Sequence, residues 1–218
     1  MTLESLSEKL GDRLVRNANL ARFTAARMGG NADWLYQANT SVDELVEVLT
    51  AAWHENIPVR VLGGGANVLV SDAGVRGLVV ISRLTGIKRD GRILTVESGT
   101  PLTVLSRNCQ KMGLAGFEWA VAVPGTVGGA VVNNAGAHGG DMASNLVSVD
   151  IVEAQRGVTT LTRQELQYEY RASSLKLRTD KRFLVLRVLM EFQEDDPATI
   201  QARMDTFNAH RRSTQPGG

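Results

Sequence analysis

Two glycine-rich turns carry the residue types most able to do chemistry. The first is LGGGANVLV at 62–70, and the second is VPGTVGGAVVNNAGAHGG at 123–140, which holds six of the chain's 22 glycines. No charged residue occurs from Trp119 to Gly140. Glycine allows positive φ and lets a ligand approach consecutive backbone N–H groups, which together form a concave nest for phosphate oxygens. A diphosphate held this way needs no local lysine, and apolar walls beside it suit a flat ring system. Neither G-x-G-x-x-G nor G-x-x-x-x-G-K-[ST] occurs, so dinucleotide-binding Rossmann and P-loop readings fall away. On these residues alone, tight turns and close strand packing explain the glycines equally well.

Elsewhere reactive groups are sparse. The single cysteine, Cys109, excludes an intrachain disulfide, and its setting in LSRNCQKM reads as an inert, partly buried thiol. His54, His138 and His210 show no H-x-x-x-H or HExxH spacing, so no metal centre is expected. Lys and Arg total 24 against 23 Asp and Glu, which leaves no basic surplus for nucleic acid or an anionic membrane. Any anionic ligand must therefore be held locally. The N-terminal MTLESLSEKLGDRL places charges where a signal peptide needs an apolar core, and no run nears the ~20 apolar residues of a membrane span. A cytoplasmic protein is expected.

The elements that must position the turns can be read from periodicity. SVDELVEVLTAAWHE (41–55) opens with a Ser41 to Glu44 capping box and continues at helical spacing. The next stretch suggests three short strands, at Val59 to Leu62, Val68 to Val70 and Leu78 to Ile81. Asp90-Gly91 marks a hairpin within 87–98, and Thr100-Pro101 starts a helix that stops at Gly113. After the second glycine turn, LVSVDIVEAQRGVTTLT reads as two strands about Gly157, and a Thr162 to Glu165 capping box predicts a short helix. FLVLRVLMEFQ (183–193) reads as a strand buried on both faces, followed by a helix from Asp196-Pro197 to about Arg211. Strands and helices mix without regular βαβ alternation, which favours an α+β fold.

The series GGGANVLVSDAGVRGLVV, GFEWAVAVPGTVGGAVVNNAGAHGG and YEYRASSLK resembles, in order and spacing, the UDP-N-acetylenolpyruvoylglucosamine reductases. The likeness runs from about Asn19 to Pro216. It implies a two-lobed FAD-binding domain of the vanillyl-alcohol-oxidase (PCMH) type. Residues 1–86 would form an N-terminal helix and the first lobe, 87–195 the second lobe, and 196–218 a helix and the start of a linker to a C-terminal substrate-binding domain. It assigns Gly63, Gly64, Gly65, Ala66 and Asn67 to the FAD diphosphate. Pro124, Gly125, Thr126, Gly128, Gly129 and Ala130 would line the cofactor from the second lobe, with Asn134, Ala135 and Gly136 continuing that wall. Ala66 replaces a serine common in the family, and His138 stands where tyrosine is frequent and would line the pocket.

The implied reaction passes hydride from NADPH to FAD and then to C3 of UDP-N-acetylglucosamine enolpyruvate, giving UDP-N-acetylmuramate for peptidoglycan. Arg171 matches the family's arginine that steadies the enolate, Tyr170 would touch substrate, and Ser173 would touch it or support the loop. The family's proton-donating serine lies in a G-S-x-F motif soon after R-x-x-x-Q-P, here RRSTQPGG at 211–218, and these 218 residues contain neither that serine nor the family's C-terminal glutamate. The polypeptide is therefore expected to bind FAD, turn over poorly, and behave as a monomer.

Overall fold

The computed structural model describes residues 2–214. Met1 and residues 215–218 lie outside them, including Gln215 and Pro216 of the R-x-x-x-Q-P segment.

The first half builds a four-stranded mixed sheet. Its elements are α1 (Leu3–Leu10), β1 (Leu14–Asn19), β2 (Asn31–Ala38), α2 (Val42–His54), β3 (Val59–Leu62) and β4 (Val75–Ser82), with strand order β1-β2-β4-β3. β1 runs antiparallel to β2, whereas β2 and β3 both flank β4 in parallel. α2 begins where Ser41 Oγ accepts the Glu44 N–H at 3.1 Å. The capping box is only half made, because the Glu44 carboxylate turns away to accept from the Tyr36 hydroxyl at 2.8 Å and from Arg13. The apolar face of α2 (Leu45, Val48, Leu49, Ala52) packs with Leu3, Leu6, Tyr36 and Val80.

The second half contains β5 (Ile87–Asp90), β6 (Ile93–Glu97), α3 (Leu102–Lys111), β7 (Leu114–Ala115), α4 (Val127–Asn133), β8 (Gly136–Ala137), β9 (Gly140–Asp141), β10 (Leu146–Glu153), β11 (Gly157–Thr162), α5 (Ser174–Leu177), β12 (Phe183–Glu191), β13 (Gln193–Glu194) and α6 (Pro197–Thr214). Five strands form an antiparallel sheet in the order β11-β10-β12-β6-β5. One face carries α3 and α4 over Leu94, Val96, Val149, Ile151, Val188 and Met190. From its other face, Val152, Leu184 and Leu186 join the core beneath α2. β12 is thus buried on both sides along its first half, and exposed Arg187 interrupts it.

Two expected elements are absent. Val68 to Val70 is not a strand: β3 and β4 are parallel, so residues 63–74 must travel back along the sheet instead of pairing within it. Val70 instead packs against the 29–30 turn, where a Cβ on Gly29 would lie 2.7 Å from Val70 Cβ. The Thr162 capping box forms, with Glu165 accepting from the Thr162 N–H at 2.7 Å and Thr162 Oγ1 from the Glu165 N–H at 3.3 Å. It closes only a turn, and the next helix, α5, begins at Ser174 behind an N-cap from Ser173.

Candidate functional site

β3 is an edge strand of the first sheet, and its C-terminal end delivers Gly63 to Asn67 toward the start of α4. A Cβ on Gly63 would sit 2.7 Å from Thr126 Oγ1, and one on Gly64 would sit 3.2 Å from Gly125 Cα. The two glycine turns therefore face each other closely, with the Thr126 side chain against Gly63 and backbone against backbone at Gly64 and Gly125. Gly65 has a φ of +66°, and a Cβ there would meet the Phe23 carbonyl oxygen at 2.0 Å. The Ala25 N–H donates to the Gly65 carbonyl at 3.0 Å, fixing the turn from behind.

Among the described residues, the backbone N–H groups of Gly63 to Asn67, Gly125 and Thr126 have no protein acceptor. Unpartnered donors at facing turns are the kind of group that suits a diphosphate. The first turn of α4 contributes less. Its Val127 and Gly128 N–H groups donate to Thr100 and Ser98 carbonyls at 2.9 and 2.8 Å, and Ala130 is buried in the core. These residues shape the wall without offering amides. The Gly129 N–H reaches Thr126 Oγ1 at 3.5 Å, a distance too long to hold it firmly.

Beneath the turns, a cleft of about 290 Å³ runs along β3 between the sheets. Its lining includes Val61, Gly63, Thr126, Gly129, Lys181 and Phe183. Ser82 and Ser98 meet in its wall with their hydroxyl oxygens 3.4 Å apart. The strand residues carry no local sequence signal, because only the packing of the two sheets brings β3 opposite β12.

Asn134 and Gly136 lie on a second, open cleft of about 1330 Å³ between the β8–β9 hairpin and residues 162–171. Ala135 packs against the second-lobe core. Arg171 stands on this cleft's rim, with its guanidinium donating to the Gly136 carbonyl at 2.7 Å and lying 5.6 Å from the ring centroid of exposed Tyr170. The residue has a φ of +56°, a strained region for an arginine. Ser173 is buried and donates to the Val132 carbonyl at 2.6 Å, so it braces the loop and does not reach into the cleft. The Tyr168 hydroxyl is buried nearby without a partner, and burial, then Asp141, push it above the usual phenol range. His138 lines the same cleft but stacks on Phe207 at 4.5 Å, with His210 edge-on at 5.5 Å. His138 of the β8–β9 turn and His210 of α6, far apart in sequence, thus meet in space. Cys109 is buried, and burial followed by Glu118 pushes its thiol up to about 12.

The sequence model of a family described as "FAD binding domain" matches residues 36–162. The chain is 42% identical over 212 residues to the UDP-N-acetylenolpyruvoylglucosamine reductase of Synechococcus sp. (strain WH7803), covering 93% of this chain and 66% of that protein. It is 37% identical over 218 residues to the reductase of the same name from Lactococcus lactis subsp. cremoris (strain MG1363), covering 99% and 72%. The crystal structure of the Thermus caldophilus reductase superposes with a TM-score of 0.77 at 31% identity, covering 94% of this chain and 70% of that one. A solvent-stable cholesterol oxidase shares the fold at a TM-score of 0.61 and 18% identity, over 84% of this chain and 37% of its own. The chain thus spans about two thirds of the length of the curated relatives it matches, and its α+β fold is the two-lobed FAD-binding fold of the vanillyl-alcohol-oxidase type.

Proposed function

Because this chain belongs to the UDP-N-acetylenolpyruvoylglucosamine reductase family, we propose that it contributes the FAD-binding part of an NADPH-driven reduction of UDP-N-acetylglucosamine enolpyruvate to UDP-N-acetylmuramate. The observation that carries this reading is the pair of facing glycine turns with unpartnered amides. Residues 1–86 and 87–195 are the two lobes, and the protein works as a cytoplasmic monomer in cell-wall synthesis.

FAD fits these residues. Amides of Gly63 to Asn67, with Gly125 and Thr126, would supply donors without charge, and the missing Cβ atoms of Gly63 and Gly64 let the two turns come together. At about 290 Å³ the cleft lies at the low end for a small-molecule pocket, so it would hold part of the dinucleotide, with Val61, Gly63, Thr126 and Phe183 among the residues against it. When bound, FAD supplies the chemistry of accepting hydride from NADPH and passing it to C3 of the enolpyruvyl ether.

The chain's own part in the reaction is electrostatic. Arg171 is the proposed catalytic residue. Hydride arrival at C3 leaves negative charge on C2 and its carboxylate, and a fixed guanidinium lowers the energy of that charge. The hydrogen bond to the Gly136 carbonyl uses one donor and leaves the others free for a carboxylate. Tyr170 would meet the substrate beside it. The C2 proton comes in this family from a serine that these 218 residues do not contain, and a positioned acid contributes ~10²–10⁴ in rate. This polypeptide alone should therefore bind FAD and turn over slowly.

The test is to purify the 218-residue polypeptide and titrate it with FAD. A yellow protein with raised thermal stability, bleached anaerobically by NADPH, supports the reading. Colourless protein that FAD neither quenches nor stabilises rejects it.

A further inference from the structure

Asn134 ends α4 in the left-handed region, at φ 43° and ψ 60°. That conformation favours glycine or asparagine, so the backbone accounts for the choice as far as either residue, and the side-chain bonds must distinguish them. The side chain is buried, and both ends of its carboxamide are engaged. Its Oδ1 accepts from the Ala143 N–H at 3.1 Å, and its Nδ2 donates to the Glu169 carbonyl at 3.0 Å and to Asp141 Oδ2 at 3.3 Å. An amide nitrogen carries two hydrogens, so no donor is left over for a cofactor.

These bonds converge on Arg171 from two directions. Through its backbone, Asn134 turns the chain so that Gly136, two residues on, presents its carbonyl to the Arg171 guanidinium at 2.7 Å. Through its side chain, it holds Glu169, which pairs with Ala172 by reciprocal bonds of 3.2 Å and so closes the loop that carries Tyr170 and Arg171. The Lys176 ammonium, at 2.7 Å from the Arg171 carbonyl, tethers the loop from its far side.

We infer that Asn134 is a positioning residue for Arg171, a lock between the cofactor-side helix α4 and the arginine loop, and not a contact to the cofactor. The inference rests on the role proposed above for Arg171.

Two substitutions separate the possibilities. Asn134→Gly keeps the left-handed turn and removes every side-chain bond; Asn134→Asp keeps the acceptor for Ala143 but loses both donors and adds a carboxylate beside Asp141. Three quantities are measured on the polypeptide: FAD affinity by fluorescence quenching, hydrogen exchange of the Glu169 and Ala172 amides, and the phenylglyoxal modification rate of Arg171 relative to Arg163. In both variants FAD affinity should stay within about twofold, exchange at Glu169 and Ala172 should quicken at least tenfold while that of α3 does not, and Arg171 should react severalfold faster. Unchanged loop exchange in Asn134→Gly would mean that the residue serves only as a cap and would overturn the inference. So would a tenfold loss of FAD with a quiet loop, which marks a cofactor contact. If the parent polypeptide takes up no FAD, the functional reading fails, while the exchange and modification rates still decide what Asn134 does.

Discussion

At the scale of single residues, empty space and hydrogen-bond supply decide what each position does. Gly63 is defined by a missing side chain: a Cβ there would lie 2.7 Å from Thr126 Oγ1 and would push the two turns apart. Gly63→Ala should therefore weaken FAD binding by tenfold or more with little change in the melting point of the cofactor-free protein. Equal affinities by fluorescence titration would contradict the nest. Gly65→Ala differs, because its Cβ would meet backbone at 2.0 Å in a left-handed conformation, and stability should fall along with binding. Tyr36 shows the opposite case, a fully buried hydroxyl made acceptable by one partner. Burial, then Glu44, push its phenol above the usual range, while the Tyr36 and Arg13 hydrogen bonds outweigh burial in holding the Glu44 carboxyl below its usual range. A carboxylate with a lowered folded value contributes stability above its unfolded value, and that contribution is lost as pH falls through the folded one. Tyr36→Phe should cost about 1.5–3 kcal/mol at neutral pH, as expected for a hydrogen bond to a charged acceptor. The loss should shrink in acid, and a urea-unfolding series across pH measures both.

At the scale of elements, the β8–β9 hairpin is clasped to the last helix by His138. Its ring lies 4.5 Å from Phe207 at an interplanar angle of 8°, with His210 edge-on. Burial first, then His210 and Arg211, lower its proton affinity. Asp141 on β9 is spent on Asn134 and Ser144, Glu118 beneath the hairpin on Arg203, and Arg171 adds a further positive charge at Gly136. A histidine whose folded value is depressed stabilises the protein above the ordinary value of about 6.5, and the effect is lost as pH falls through the folded value. Acid should thus loosen the clasp. His138→Phe keeps the stack without a charge, so its melting point should fall less than the parent's between pH 7.5 and 5.5; equal falls in a thermal-shift assay would refute the clasp. Such pairings explain what the sequence could reveal. Helical spacing disclosed α2, Asp90-Gly91 the β5–β6 hairpin and Gly157 the β10–β11 hairpin, because each depends on neighbours in the chain. The strand expected at Val68–Val70 failed because a parallel sheet needs a return connection, and a complete capping box at Thr162 led to no helix because nothing downstream continued it. The facing of the glycine turns was foreseen through family likeness; the part played by Lys181 and Phe183 in the cleft was not, since only the approach of β12 to β3 creates it.

At the scale of the whole molecule, the cleft must stay open by a fixed amount, and the packing between the sheets sets that amount. β12 belongs to the second sheet by pairing, yet its Leu184 and Leu186 lie in the same core as α2, Tyr36 and Val80, while Val185, Val188 and Met190 lie in the core under α3 and α4. One strand therefore anchors both lobes, and the register shift opposite Asp150 and Ile151 re-aims its side chains between the two cores. Lobes tied this way should not unfold separately. Leu186 is fully buried, so Leu186→Ala removes apolar contact and leaves a cavity, at a typical cost of about 2–5 kcal/mol. In a protein of this size that lowers the melting point by roughly 2–4 °C per kcal/mol. Differential scanning calorimetry of the cofactor-free polypeptide should show one transition in the parent and one, shifted down by about 4–20 °C, in the variant. Two transitions of which only one moves would mean independent lobes joined by a passive strand, and a cleft width set by the cofactor instead of by the fold. A single transition that FAD raises in both proteins would instead place the rigidity of the site in the shared strand, with the cofactor adding its mass-action stabilisation to a cleft already formed.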